Sequence, residues 1–282
     1  MALAYGKTMT TSAVAAPLAT PPDRAKAIRR AVLFLLVCSP AYLLPGLLAV
    51  PHPSIMAAIV LAVTWLFLRR EGRPLAVLGL DASWRRVGQL CAGFGGGALL
   101  ILAIATLVRL VLPFPWAWNP HFAPGIAALS LLWFLGGNAV EELVFRGYSF
   151  ERLIAGIGLW PAQIVTAVWF ATFHVINGWS WQVALLGTTV GSLLFGFVFI
   201  RWRSVPAAIG VHAAVNWTRD LLLNDPPTQT TLFAPLSPRP WTSGEQVIAL
   251  LLMDAVILLV CVALWRSSRI SGESVIADVK QG

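Results

Sequence analysis

Short polar groups stand inside apolar runs of this chain, and their types and spacing could do chemistry. "EELVFR" carries Glu141, Glu142 and Arg146, "FATFH" carries Phe170 and His174, and "HAAVN" carries His212 and Asn216. Glu142 and Arg146 are four residues apart, so on a helix they share a face and can pair. Glu141 lies about 100° further round the wheel. Glu142 therefore reads as the structural acid, and Glu141 is left to face the interior. His212 and Asn216 also share a face, which sets an imidazole beside an amide where a developing oxyanion could bind. His174 could hold a water or polarise a carbonyl. A carboxylate, two imidazoles and an amide donor are the parts for general-base hydrolysis of a peptide bond. Each group also has a plainer reading: an interfacial ion-pair cluster, a packing histidine, or a hydrogen-bond clamp between helices. Asp254, in "LLMDAVILL", has no second polar residue at helical spacing and reads as a structural bond to another helix.

The elements that must position these residues are membrane spans. Of 282 residues, 58% are hydrophobic and only 11% charged, against about 25% charged in a soluble domain. Mean hydropathy is +0.77. These values predict an all-α, polytopic bundle and exclude a soluble one. Roughly 20 apolar residues cross the hydrocarbon core, which predicts about eight spans, near 31–50, 54–68, 87–112, 126–147, 159–178, 182–200, 205–222 and 245–266. The segment 148–158 is too short and polar to cross and is expected to lie at the interface or dip into the bundle. Residues 1–27 read as a disordered cytoplasmic tail, 28–268 as the membrane domain with its motif core over 126–222, and 269–282 as a second cytoplasmic tail.

The net charge is +8, and the arginines account for it without nucleic acid. With the N-terminus inside, most Lys and Arg fall on the inner side, and only Arg109, Arg219 and Arg239 lie near the other. That asymmetry predicts a multi-pass protein of the cytoplasmic (inner) membrane with both termini inside. Trp116, Trp118, Trp179 and Trp181 fall at outer span ends, as interfacial tryptophans do. "GFGGG" at 93–97 and "GTTVG" at 187–191 predict close helix packing. Cys38, Cys91 and Cys261 form no CxxC and report nothing of redox compartment.

EExxxR, FxxxH and HxxxN, in that order and each on its own helix, resemble the CPBP family. Its members include CAAX prenyl proteases of the Ras-converting-enzyme type, bacteriocin-processing and self-immunity proteins, and bacterial relatives that process C-terminal sorting signals. The resemblance covers about 126–222. It implies an eight-helix intramembrane endopeptidase acting on a membrane-associated protein or peptide. Glu141 would be the general base, Glu142, Arg146 and Phe170 its support, His174 a catalytic partner, and His212 with Asn216 the oxyanion site.

Other readings stay in play. Glu141, His174 and His212 could supply three zinc ligands and leave a fourth position open. The metal-free version is favoured, because Asn216 beside His212 suits an oxyanion better than it suits a ligand's support. A non-catalytic binding or immunity protein on the same fold is a second alternative. A proton-coupled transporter ranks last, since the chain shows no repeated halves. No HExxH, GxSG or GxGD motif is present. Cleavage is expected near the cytoplasmic side. Counted along straight helices, however, Glu141 lies roughly 9 Å from its inner end and His174 roughly 22 Å from its own, a mismatch in depth that the fold has to resolve.

Overall fold

With no water in a membrane core, backbone N–H and C=O groups must pair within their own segment, so long apolar runs become helices. The computed structural model describes residues 23–47, 52–112, 116–224, 227–235 and 241–270. Most of the expected tails, 1–22 and 271–282, lie outside the described residues. Helices occupy every place where a span was expected: α1 (Arg24–Leu47), α2 (Pro53–Arg69), α3 (Trp84–Val111), α4 (Pro124–Phe145), α5 (Tyr148–Ile157), α6 (Leu159–Ile176), a single turn α7 (Trp181–Val183), α8 (Thr189–Trp202), α9 (Val205–Leu223) and α10 (Ser243–Ile270). A π-helical turn, Ala184–Thr188, joins α7 to α8 in one continuous rod. Among the described residues, five segments are long and apolar enough to cross on length and composition alone: Trp84–Val111, Pro124–Ile157, Leu159–Ile176, Trp181–Trp202 and Ser243–Ser267. The helix at Pro53–Arg69 is apolar but shorter. The molecule is an all-α, multi-pass membrane bundle.

Local sequence sets the helix starts. Pro124 opens α4 at the first turn, where its missing N–H loses nothing. The Ser204 hydroxyl accepts from the Ala207 N–H at 3.3 Å to start α9. Thr242 and Glu245 form a reciprocal capping box ahead of α10, with Thr242 N donating to Glu245 Oε2 at 2.7 Å and Glu245 N donating to Thr242 Oγ1 at 3.3 Å.

Of the two readings for segment 148–158, the interface or a dip into the bundle, the second holds. Most of α5 is buried, Arg152 included, and it packs chiefly on α1 and then on α6. Polar groups of α5 find partners on other elements there: the Tyr148 hydroxyl donates to Glu71, and Arg73 Nη2 donates to Glu151 Oε1 at 2.7 Å. A short antiparallel pair, β1 (Trp116–Trp118) with β2 (Phe233–Pro235), ties the loop before α4 to the loop after α9. The sequence carries no alternation long enough to have announced it.

The strongest helix contact is α3 on α9, and small residues make it possible. A Cβ on Gly93 would sit 2.4 Å from the Ala207 carbonyl oxygen, and one on Gly210 would sit 2.1 Å from that of Leu90. Within "GFGGG" only Gly93 and Gly97 serve this contact; a Cβ on Gly95 or Gly96 meets nothing within 4 Å. Gly210→Ala is expected to destabilise by about 1–3 kcal/mol, as overpacking against backbone does. Thermal unfolding in detergent checks this, with Gly95→Ala as the neutral comparison. Equal midpoints for the two variants would contradict it.

Candidate active site

The three motifs meet because α4 packs on α9, and α8 packs on both α6 and α9. On α4 the i, i+4 pair forms as expected: Arg146 Nη1 lies 3.3 Å from Glu142 Oε1, and both side chains are essentially fully buried. Arg146 then reaches α8, where Nη2 donates to the Ser192 hydroxyl at 2.5 Å and to its carbonyl at 3.1 Å. Its guanidinium lies over Phe170 of α6 at 4.7 Å and over Phe195 of α8 at 5.3 Å, so rings from two helices share one buried cation. Phe170 therefore supports the site as part of that wall.

His212 is the junction. Its Nδ1 lies 2.8 Å from Glu142 Oε1, the spacing of a charge-assisted hydrogen bond. Its Nε2 lies 3.4 Å from Glu141 Oε2. The ring stacks on Phe195 at 4.0 Å between centroids and meets Phe170 edge-on at 5.9 Å. Both ring nitrogens thus face carboxylates, an arrangement that wheel geometry on a single helix could not foresee. It does not favour the oxyanion role expected for His212.

Glu141 is the acid turned to open space. Its Oε2 is buried and lacks a hydrogen-bond partner among the described residues. It lines a cavity of about 340 Å³ together with Asn138, His174, His212, Asn216 and Arg219. His174 Nδ1 donates to the Phe170 carbonyl at 2.9 Å, and its ring meets Trp179 edge-on at 4.9 Å. The shared cavity resolves the mismatch in depth. The count along straight helices assumed that α6 begins at the depth where α4 ends, but the buried α5 and Gly158 (φ 87°) stand between them, so α6 can begin at another depth.

The lining residues also give the cavity a direction along the helices. Glu141 is four residues from the end of α4, but the lining residues Phe134 and Gly137 on α4, Asn177 after α6 and Arg219 on α9 carry the space the other way. It runs from the acid away from the arginine-rich helix ends. Asp254 is buried on α10, and its Oδ1 has no hydrogen-bond partner among the described residues; it is not among the residues lining the cavity. The expected structural bond is not made by that atom.

Among the described residues, no three His, Cys, Asp or Glu side chains are grouped as ligands of one metal ion. His212 turns Nδ1 to Glu142 and His174 turns Nδ1 to a carbonyl, which directs each Nε2 elsewhere.

Several site residues escaped the sequence reading. Asn138 is 4% exposed, its Oδ1 is unpartnered among the described residues, and it lines the cavity. Its i, i+3 spacing to Glu141 was a usable signal. Ser192 and Arg219 had none that set them apart. Trp179, read as an interfacial anchor, is a wall of the cavity.

A bundle of long apolar helices with an acid–imidazole cluster on an internal cavity is a multi-pass membrane fold. Residues 123–218 match the family model described as "Rce1-like: Type II CAAX prenyl endopeptidase Rce1-like". Over those residues the chain is similar to that family of proteases, in agreement with the resemblance carried by the three motifs. The matched segment holds Glu141, Glu142, Arg146, Phe170, His174, His212 and Asn216, while α1, α2, α3 and α10 lie outside it. No curated protein and no solved structure matches the chain.

Proposed function

We propose that the chain is an intramembrane endopeptidase that hydrolyses a peptide bond of a membrane-associated protein or peptide with water activated by Glu141. The observation that carries this reading is that Glu141 lines a cavity shared with His174 and Asn216, whereas Glu142 does not. A base needs hydrogen-bond reach to its water. The neighbouring acid, Glu142, is already occupied by Arg146 and His212, which makes Glu141 the better placed of the two.

In this reading Glu141 takes a proton from water as the water oxygen attacks the scissile carbonyl carbon. The carbonyl π electrons move to oxygen, and the Asn216 amide donates to that oxyanion. Collapse of the intermediate breaks the C–N bond, and Glu141 returns the proton to the leaving amine. His174 donates through Nδ1 to Phe170, so in its neutral form Nε2 carries the lone pair and can hold the water. His212 is a positioning residue: it fixes Glu141 against Glu142, and Arg146 fixes Glu142 in turn.

Mass spectrometry of peptide termini in membranes tests the proposal, comparing cells that express the chain with cells that express Glu141→Gln. New termini on membrane-associated proteins are expected only with the unaltered chain. Identical termini in both would remove the endopeptidase reading and leave a binding or immunity protein on the same fold. Asn216→Ala is expected to slow cleavage by about 10²–10³, the usual loss of one oxyanion donor, seen in kcat with KM little changed. An unchanged kcat would take Asn216 out of the mechanism.

A further inference from the structure

At the helix ends opposite the cavity, a second set of charges gathers that hydrolysis does not use. Glu71 meets Arg30 at 3.0 Å, Arg152 at 3.4 Å and Arg73 at 3.8 Å. Glu151, whose side chain is fully buried, meets Arg73 at 2.7 Å, Arg203 at 3.2 Å and Arg152 at 3.7 Å. Four arginines thus share two carboxylates. Arg85 and Arg86 stand beside them in the first turn of α3. Arg86 Nε donates to Asp81 at 2.7 Å. The Ser83 hydroxyl and the Arg86 guanidinium hold the exposed Asp81 carboxyl below its usual range, so Asp81 stays charged and keeps its partner. No ion pair of Arg85 occurs among the described residues. Six arginines therefore face three acids.

Between them lies a cavity of about 480 Å³ lined by Arg73, Arg85, Arg86, Arg203, Glu151 and Trp202. Its walls are held in place. Gly79, in the left-handed region at φ 70°, lets the turn Leu75–Leu78 lie against the end of α8, where a Cβ would sit 2.7 Å from the Arg203 carbonyl oxygen. Arg203 itself adopts φ 47° and ψ 49°. Glycine fills that conformation without strain, so a side chain kept there points to a use for it. Arg73 Nη1 is buried with no hydrogen-bond partner among the described residues. The start of α3 adds the partial positive charge of a long helix. Trp84, next to Arg85, is 88% exposed, as a ring at headgroup level would be.

We propose that this groove binds the phosphate of an anionic lipid headgroup at the arginine-rich face of the membrane. Basic pockets between membrane helices on that face take such headgroups. The excess of cations supplies the charge, the planar guanidiniums match phosphate oxygens, and the span ends place the groove at headgroup depth. The inference is independent of the hydrolytic reading.

The test uses the purified full-length chain in detergent micelles. Its thermal unfolding is followed while phosphatidylglycerol, phosphatidylcholine or inorganic phosphate is added. Phosphatidylglycerol is expected to raise the midpoint, and the other two at equal concentration are not. Arg85→Gln breaks no ion pair among the described residues and is expected to raise the phosphatidylglycerol concentration for half the shift about fivefold, the effect of one cation near a charged surface. Arg85→Lys is expected to retain most of the affinity. Equal shifts from the two lipids would overturn the proposal, as would an unchanged half-point in Arg85→Gln. A shift reproduced by inorganic phosphate would assign the groove to a free anion instead.

Discussion

Glu141→Gln is expected to abolish cleavage while the fold persists. Glutamine keeps the shape of the side chain and its contact with His212, but an amide oxygen does not take a proton from water at neutral pH. The loss should be at least the 10²–10⁴-fold that a positioned general base contributes. Stability should change little, because Glu141 Oε2 has no hydrogen-bond partner to lose among the described residues. Kinetics on a cleavable membrane peptide, set beside thermal unfolding of the same preparation, separates the two effects. A stable variant with full activity would end the general-base assignment.

The largest effect on stability is expected at Arg146. Its side chain is about 1% exposed and pairs with Glu142 at 3.3 Å, while Nη2 bonds both oxygens of Ser192. Arg146→Met removes the cation and leaves a buried carboxylate with His212 alone. Breaking a buried pair from one side costs about 3–5 kcal/mol. Removing both charges, as in Arg146→Met with Glu142→Leu, is expected to recover part of that loss, since an apolar pair carries no desolvation penalty. Activity should not return with stability, because His212 Nδ1 would have lost its acceptor and no longer orients Glu141. If the double variant were no more stable than Arg146→Met, the pair would not be the source of the cost. If it cleaved normally, His212 would not act through Glu142.

Much of the architecture was legible in the chain. The apolar runs foretold where each helix lies, and Pro124, Ser204 and the Thr242–Glu245 box mark starts by local chemistry alone. The Glu142–Arg146 pair was legible for the same reason, since a 3.6-residue turn puts i and i+4 on one face wherever the helix goes. The dip of α5 was one of two readings that its brevity allowed. Tertiary contacts with Glu71 and Arg73 decided between them, because buried charges need partners that only other helices could bring.

What the sequence determined by itself was the set of reactive groups and the helix that carries each. It could not say which group faces which, because the rotation and depth of one helix against another follow from packing between residues far apart in the chain. Gly93 and Gly210 fix how closely α3 meets α9, and Ser192 receives Arg146 across helices. From those contacts come the placement of His212 between two carboxylates, the common cavity for Glu141 and His174, and the direction in which that cavity runs. Short-range periodicity reaches only a few residues along one helix, and the site is assembled across four.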